Sequence, residues 1–388
     1  SSSTLTLPLG AFSNGTCVPF SGVFRGNGHS IKGLRMVQRL SRNSGLFCSL
    51  KNAIVENLVI DSSCSFKGVY TGALSVSVDG SLIVKNFTNN AAVSGNDNVG
   101  GFIGNVNGLE QRSVVSFEDC VNRGSVTVDN TVVGGFVGSI ASSTNLTLTI
   151  SNSINNGSVT VGGSQVVGGF VGWIWKNTDV HIAISNSLNI HDVAGGLYVG
   201  GMIGQIDGNT NMTVTISNSI NNGTVSGSDY IGGFVGSIKM YKNSHSLAFS
   251  IMNSANKGSV SAKRGMACGF MCVDSQYNKN VKTTMKNGIN KGSVNAGTNG
   301  YGITNNITVA RNVVSMGDVT GPSGSFTFWN ASTDVDLFYG LDGKCINCSD
   351  GATLFQHNTT TGFYEVVGTG EHVDDLLNDE SVNQHFGM

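Results

Sequence analysis

The stretch Val133-Gly134-Gly135-Phe136-Val137-Gly138 decides the fold of this chain, because close copies of it recur at nearly fixed spacing. The first glycines of the copies stand at positions 100, 134, 168, 200 and 232, which are 34, 34, 32 and 32 residues apart. Self-similarity at a period of about 20–50 residues indicates a solenoid or a propeller. Each repeat is then a unit that buries its apolar face only against its neighbours.

Each period contains three short runs rich in Val, Ile and Thr, and Gly, Asn, Asp or Ser residues bound these runs. In one repeat they are 167–174, 180–187 and 193–198. This composition is typical of strands and turns. A propeller blade would need four strands and about 40–50 residues. The pattern therefore predicts an all-β chain that forms a right-handed parallel β-helix of about nine coils, with about 33 residues per coil.

Stacked coils place equivalent residues above one another, about 4.8 Å apart. We therefore predict a column of apolar side chains formed by Phe102, Phe136, Phe170, Met202 and Phe234. A second predicted column has amides hydrogen-bonded along the axis, which would satisfy buried turn groups. It is formed by Asn152, Asn186, Asn218 and Asn253.

The central phrase has apolar residues on both sides of a regular strand. Alternation would place Phe136 and Ile140 on one face and Val133 and Val137 on the other. Either a bulge at the double glycine breaks the alternation, or both faces are covered. Both interpretations stay open at this point.

The repeats resemble the GLUG repeat family, which occurs in surface and secreted proteins of bacteria and some protists. The Gly-Gly-Phe-Val-Gly series carries the resemblance, together with the lead-in 19–31 and the segments 45–47 and 54–58. The likeness covers about residues 19–320 and implies a β-solenoid in an adhesin or an accessory part of a surface peptidase. This chain departs from the family pattern where glycine is replaced by Cys48, Cys268 and Cys272.

The predicted organisation is an N-terminal lead-in over 1–43, a repeat array over 44–324 and an acidic segment over 325–388. Charged residues make up only 12% of the chain, about half the usual share, which is typical of extracellular β-rich proteins. Ten acids and one base lie from Phe326 onward, which leaves 14 acids and 21 bases in the rest. The acidic segment either folds back on the basic rod or stays solvated. Because the chain starts at Ser1 without Met, we expect a processed or partial form of a longer protein.

Eight cysteines in a chain expected to be secreted suggest disulfides. The predicted bonds are Cys345–Cys348 and Cys17–Cys48. Cys268 and Cys272 stand four residues apart in one predicted strand, which is too far for a bond unless the strand is bulged. Buried free thiols are therefore expected at these two positions.

Asn-X-Ser/Thr sequons are frequent, and several lie in predicted turns that a glycosylating enzyme could reach. N-linked glycans are expected if the source is eukaryotic. The sequons begin at Asn14, Asn86, Asn145, Asn156, Asn211, Asn222, Asn306, Asn330, Asn347 and Asn358.

No constellation for catalysis emerges from the repeat array. Its acids share no repeat position, Glu118-Asp119 is its only adjacent pair, and its histidines share no register. We therefore predict a non-enzymatic protein without catalytic, cofactor or metal sites. The lysines and arginines form no cluster with aromatic residues, so no nucleic-acid partner is expected. No stretch approaches the roughly 18 apolar residues of a membrane span.

These features favour a secreted or cell-surface rod that acts in adhesion or as a surface scaffold, contacting host cells, matrix or copies of itself. One alternative is a structural protein that assembles into an extracellular fibre or surface layer, as a homo-oligomer or filament. A second alternative is a glycan-binding or glycan-cleaving β-helix. Aromatic residues stacked on one face would be the structural sign of that second alternative.

Overall fold

The computed structural model of the 388-residue chain describes residues 7–11, 16–37, 43–109, 112–163, 165–240, 246–274, 281–315, 317–328, 331–335, 338–340, 355–357 and 364–366. Regular structure in these ranges consists of β-strands, and none of it is helical. It follows that no described segment is a helix that could cross a membrane. Each turn of the rod passes through four strand positions, which we name the long face, the short sheet, the first arm and the second arm.

The strands follow these positions in order. The long face consists of Phe20–Arg25, Ser30–Ile31, Phe47–Ile60, Leu82–Asn89, Ser113–Glu118, Val121–Asn122, Leu146–Ser151, Ile154–Asn155, His181–Ser185, Leu188–Asn189, Met212–Ser217, Ile220–Asn221, Leu247–Asn256, Val281–Asn290, Ile307–Ser315, Ala331–Val335 and Phe338–Gly340. The short sheet consists of Arg35–Val37, Ser65–Gly68, Ala92–Gly95, Val126–Val128, Val159–Val161, Val193–Ala194, Val225–Gly227, Val260–Ala262, Val294–Asn295 and Val319–Thr320.

The two arms flank the repeated glycine phrase. The first arm consists of Thr71–Gly72, Asn98–Gly100, Val132–Gly134, Val166–Gly168, Tyr198–Gly200, Tyr230–Gly232 and Met266–Cys268. The second arm consists of Ser75–Val78, Ile103–Asn107, Val137–Ala141, Val171–Trp175, Ile203–Asp207, Val235–Lys239 and Met271–Val273. Asn299–Thr304 spans both arms, Gly324–Phe328 pairs with it, and Phe355–His357 with Tyr364–Val366 forms a separate antiparallel pair.

Strands of successive turns pair in parallel and in register, which confirms the predicted parallel β-helix. Val99 pairs with Val133 and Val133 with Val167, so the repeat of the sequence is the repeat of the structure. Equivalent asparagines in the middle turns lie 32 to 35 residues apart. Within the described residues the short sheet has ten strands, one per turn, which is close to the nine turns predicted.

The predicted column of apolar side chains fills the interior. Its five members are fully buried, and the rings of Phe102, Phe136 and Phe170 follow one another at centroid distances of 4.3 and 4.8 Å. The column continues to Phe270, whose ring lies 4.9 Å from that of Phe234. These spacings match the distance between neighbouring strands. The prediction of an axial phenylalanine stack is therefore confirmed.

The predicted asparagine column forms, but its setting differs from the expectation. Asn186 Nδ2 donates to Asn152 Oδ1 at 3.2 Å, and Asn253 Nδ2 donates to Asn218 Oδ1 at 3.1 Å. Asn152 and Asn186 are exposed, so the idea that this column satisfies buried groups is wrong. Their φ angles of 50° and 48° place them in the left-handed region, which Asn tolerates well. The left-handed backbone conformation at this corner therefore accounts for Asn at these positions.

A different asparagine column serves the interior. Each side-chain amide except that of Asn290 donates to the next member at 2.7 to 3.0 Å, and Asn290 donates to Ser315 Oγ at 3.3 Å. Each amide also donates to a backbone carbonyl two residues further along the chain. All members are fully buried, so these bonds satisfy polar groups that water cannot reach. The members are Asn89, Asn122, Asn155, Asn189, Asn221, Asn256 and Asn290.

Candidate functional site

The glycine phrase folds the chain back on itself between the two arms. At one corner the amides of Phe170 and Val171 both donate to the carbonyl of Met202 in the next turn, at 2.9 and 3.0 Å. A Cβ atom on Gly168 would overlap the Val171 carbonyl oxygen. Glycine is therefore required at this position by the close approach of the two arms.

The corner also explains the apolar residues on both sides of the phrase. Residues 132–134 and 137–141 are separate strands, and the backbone bends between them. Val133, Phe136 and Val137 all belong to the main core, although strict alternation would separate Phe136 from the two valines. The interruption at the double glycine is thus the correct one of the two interpretations.

The outer faces of the two arms pack against each other along the rod, and we name this line of contact the groove. On the first arm Val167 points into the core, so its neighbour Val166 faces outward. On the second arm Ile174 points into the core, so Trp173 and Trp175 face outward. A Cβ atom on Gly204 would come within 2.6 Å of Val166 Cγ1, because the side chain on one arm reaches the backbone of the other.

Aromatic side chains line the central part of this groove. The rings of Trp173 and Trp175 stack at 4.8 Å with an interplanar angle of 16°, and the Lys176 ammonium lies 4.2 Å from the centre of the Trp175 ring. On the opposite wall the rings of Tyr198 and Tyr230, from neighbouring turns, stack at 5.6 Å and 26°. All four residues are half-buried, so each keeps part of its surface open to solvent. Partly exposed aromatic side chains can pack against a ligand.

A row of polar atoms without partners follows the second arm. Asn105, Ser139, Trp173, Gln205 and Ser237 occupy one register position in five successive turns. Asn105 Oδ1, Trp173 Nε1 and Ser237 Oγ are buried and make no hydrogen bond with any described residue. Leaving such a group unsatisfied costs about 1–3 kcal/mol, so this row is an unusual feature of an otherwise well-bonded rod.

The chemistry of the groove wall is that of neutral donors and acceptors. Burial raises the pKa of the Tyr198 and Tyr230 hydroxyls, so both stay protonated at neutral pH and can donate hydrogen bonds. Lys239 forms an ion pair with Asp274 at 3.5 Å at the edge of the second arm. The groove therefore offers hydrogen bonds and aromatic faces, with its edge charges largely paired.

A disulfide joins the arms at one end of the groove, where free thiols were expected. Cys268 ends one strand and Cys272 lies in the next, and their Cα atoms are 5.6 Å apart. The prediction of unpaired thiols is wrong because it assumed one continuous strand, whereas the corner brings the two arms together. With Tyr301, Tyr230 and Met266 these cysteines form a small apolar cluster separate from the main core.

The structure places the other predicted cysteines and sequons as follows. Cys17 and Cys48 form the predicted disulfide, and Cys64 and Cys120 are buried free thiols. Exposed sequon asparagines are Asn86, Asn145, Asn211 and Asn222, while Asn156 and Asn306 are half-buried. The following calls lie outside the described residues: Asn14, Asn330, Asn347, Asn358, Cys345 and Cys348.

Of the acidic pair Glu118-Asp119, Glu118 lies 2.7 Å from the Lys85 ammonium in an exposed ion pair. The described residues contain no group of three or more His, Cys, Asp or Glu side chains placed to hold a metal ion. The aromatic residues of the groove were not predicted from the sequence. They could have been noticed because Trp173 stands where the previous turn has Ser139, and Tyr198 stands where the previous turn has Val166.

Comparison with known proteins gives little further information. The sequence matches no protein-family model and no curated protein. Among solved structures, the chain is similar to a 1.30 Å crystal structure of a Bacteroides ovatus protein provisionally described as an immunoglobulin A1 protease. The identity is 14% and the TM-score is 0.34, over 73% of this chain and 86% of the other. At this level of similarity the name of that protein carries no argument about this chain.

Proposed function

We propose that the chain is a non-enzymatic extracellular or cell-surface rod that attaches to carbohydrate. In this proposal the groove holds a glycan chain that runs parallel to the rod axis. The observation that carries the proposal is the stacking of half-buried aromatic rings on both arms, Trp173 on Trp175 and Tyr198 on Tyr230, together with the hydroxyl groups of the two tyrosines. The resemblance to surface and secreted GLUG repeats supports the same interpretation.

The chemistry of a glycan fits both features of the groove. A sugar ring presents an apolar C–H face, which packs against aromatic rings such as those of Trp175 and Tyr198. Its hydroxyl groups both donate and accept, so they can bond to the hydroxyl groups of the half-buried Tyr198 and Tyr230. One sugar residue is about as long as the spacing between turns. Successive sugars could therefore meet successive turns.

An extracellular setting is also part of the proposal. The Cys17–Cys48 and Cys268–Cys272 bonds support it, because disulfides persist mainly in oxidising compartments. The low content of charged residues supports it as well. Attachment to host cells or matrix would then use carbohydrate as the shared ligand.

The experiment is a binding screen of the full chain against immobilised polysaccharides, read out by affinity electrophoresis and by tryptophan fluorescence. Two of the three tryptophans lie in the groove, so a bound glycan should change the emission. We expect Trp175→Ala and Tyr198→Ala to weaken binding about tenfold each. The control is Val114→Ala, which removes an exposed apolar side chain from the long face.

Four outcomes would contradict the proposal. No binding to any polysaccharide would remove its basis, and equal loss in the Val114 control would show that the groove is not the site. Release of shortened products would replace attachment by cleavage. Concentration-dependent filaments that need no carbohydrate would favour the fibre alternative, which electron microscopy can detect.

A further inference from the structure

One outward-facing position of the long face carries charges of alternating sign in the first turns. Arg25 pairs in register with Glu56, Glu56 with Lys85, and Lys85 with Glu118. Arg25 and Glu56 form an ion pair at 2.8 Å, and Lys85 and Glu118 form one at 2.7 Å. Stacked opposite charges stabilise a sheet, and stacked like charges destabilise it. The first turns therefore neutralise their own charges along the axis.

The same register position is basic at the other end of the rod. After uncharged residues in the middle turns it reaches Met252 and then the exposed Lys286, whose strand partner in the next turn is Arg311. A pair of bases in neighbouring turns is formed by Lys257 and Lys291, which directly follow the register partners Asn256 and Asn290.

This end of the rod carries more bases than acids. From Asp229 to Asp318 the sequence contains ten Lys or Arg residues and three acids, Asp229, Asp274 and Asp318. Asp274 lies 3.5 Å from Lys239 on the second arm, and Asp229 lies 3.5 Å from Arg264. These two carboxylates are therefore engaged away from the lysines of the long face.

Four of the lysines form a strip, which we name the basic strip. Lys282 and Lys286 alternate with buried residues on one long-face strand and are exposed, and Lys257 and Lys291 lie at the bend that follows this face. Lys282, Lys286 and Lys291 lie in one turn, so they form a row that runs across the rod axis, with about 13 Å between Lys282 and Lys286. Lys257 lies one turn away from Lys291, at a strand spacing of about 4.8 Å. A row of like charges fits a linear polymer that carries repeated anionic groups.

We infer that the basic strip binds an anionic polysaccharide, that is, a chain carrying sulfate or carboxylate groups along its length. The site lies on the long face, outside the groove, so it does not depend on whether the groove holds a glycan. The neighbours in the register of Lys282 and Lys286 are Ala248, which is exposed, and Met252, which is half-buried. No aromatic ring stands beside these lysines on the described long-face strands to stack a nucleic-acid base. A polysaccharide is therefore favoured over a nucleic acid.

The test measures binding of the full chain to a sulfated glycosaminoglycan and to the same polymer after chemical desulfation. We expect binding that weakens steeply with salt and that is lost on desulfation. The triple variant Lys257→Gln, Lys282→Gln, Lys286→Gln should bind about tenfold or more weakly. The matched control removes three exposed lysines from the first turns, as Lys32→Gln, Lys51→Gln, Lys67→Gln.

The control distinguishes binding by the basic strip from a general effect of net charge, because both variants lose three positive charges. Equal weakening in the two variants, or salt-independent binding, would overturn the inference. Both variants should melt at the temperature of the wild type, which keeps loss of fold apart from loss of binding. Failure of this test leaves the groove proposal intact, because uncharged polysaccharides test that proposal.

A further variant tests whether the acidic end of the chain occupies the strip instead. It carries Asp374→Asn, Asp375→Asn and Asp379→Asn within the full chain. If the sulfated polymer binds this variant but not the wild type, the chain's own acidic segment is the occupant and the inference is overturned. Equal binding to both supports an external polysaccharide.

Discussion

Asn155 Nδ2 donates a hydrogen bond to Asn189 Oδ1, 2.8 Å away in the next turn, within a fully buried column. The same nitrogen donates to the Gly157 carbonyl at 3.1 Å, and Asn155 Oδ1 accepts from Asn122 at 2.9 Å. One side chain thus joins three turns of the rod. Its loss would leave donors and acceptors on both sides without partners.

The first prediction is that Asn155→Ala lowers the free energy of unfolding by about 2–4 kcal/mol, because buried groups on two neighbours lose their partners. The control is Asn152→Gly in the exposed column, where φ is 50° and glycine is well tolerated. We expect that change to cost less than about 1 kcal/mol. Denaturant unfolding followed by circular dichroism compares the two, and equal losses would contradict the prediction.

The second prediction concerns the phenylalanine column. Phe170→Ala should destabilise the central turns by about 3–5 kcal/mol, because a cavity opens in a fully buried stack. Phe170→Met should cost less than about 1.5 kcal/mol, since Met202 already fills the same position in the next turn. Phe170→Asp should prevent folding of these turns, because it buries an unpaired charge. Soluble expression and thermal unfolding rank the stabilities of the three variants. A folded Phe170→Asp variant would contradict the prediction.

The third prediction compares the two disulfides. Cys268→Gly with Cys272→Gly restores the glycine phrase of the other turns, so we expect a folded rod that is about 2 kcal/mol less stable locally. Cys17→Ser with Cys48→Ser opens a loop with a sequence separation of 31 residues and should cost about 3–4 kcal/mol at the first turn. Hydrogen exchange measured turn by turn would reveal the difference. A larger effect of the glycine pair would contradict this ranking.

The fourth prediction concerns Cys120, which stands where the next four turns have serine. Its thiol donates to the Glu118 carbonyl at 3.2 Å, as the Ser153 hydroxyl does to the Ser151 carbonyl at 2.7 Å. Its amide donates to Ser153 Oγ at 3.2 Å. We therefore expect Cys120→Ser to fold normally and to change stability at pH 7 by less than about 1 kcal/mol.

The same substitution should change the response to alkali. Burial raises the pKa of the Cys120 thiol to about 12, against about 9 for an exposed thiol. The unfolded chain therefore releases this proton first, so the contribution of Cys120 to stability is complete below pH 9 and is lost between pH 9 and 12. Unfolding of wild type and Cys120→Ser across this range isolates the effect. Parallel pH profiles for the two proteins would contradict the assignment.

The fold could be predicted from the sequence because stacking in a β-helix is read directly from the repeat. Equivalent residues of successive turns lie one strand spacing apart, so the spacing of Phe102, Phe136 and Phe170 fixes a column before any coordinates exist. The Cys17–Cys48 bond followed from the same placement of the lead-in beside the first turns. The sequence did not show which asparagine column is buried, because Asn152 and Asn155 stand in the same repeated phrase. Only the backbone conformation decides that Asn155 faces the interior and Asn152 faces solvent.

The sequence alone determined the parallel β-helix, its period and its phenylalanine column, because each depends only on which residues recur. The tertiary structure decided the groove, the Cys268–Cys272 bond and the burial of the Asn155 column. Each of these depends on the angle through which the chain turns at Gly134, Gly135 and their equivalents. Glycine permits many backbone angles, and packing against neighbouring turns selects one of them. Residue spacing therefore specifies the stack, while packing specifies which side chains face one another across a corner.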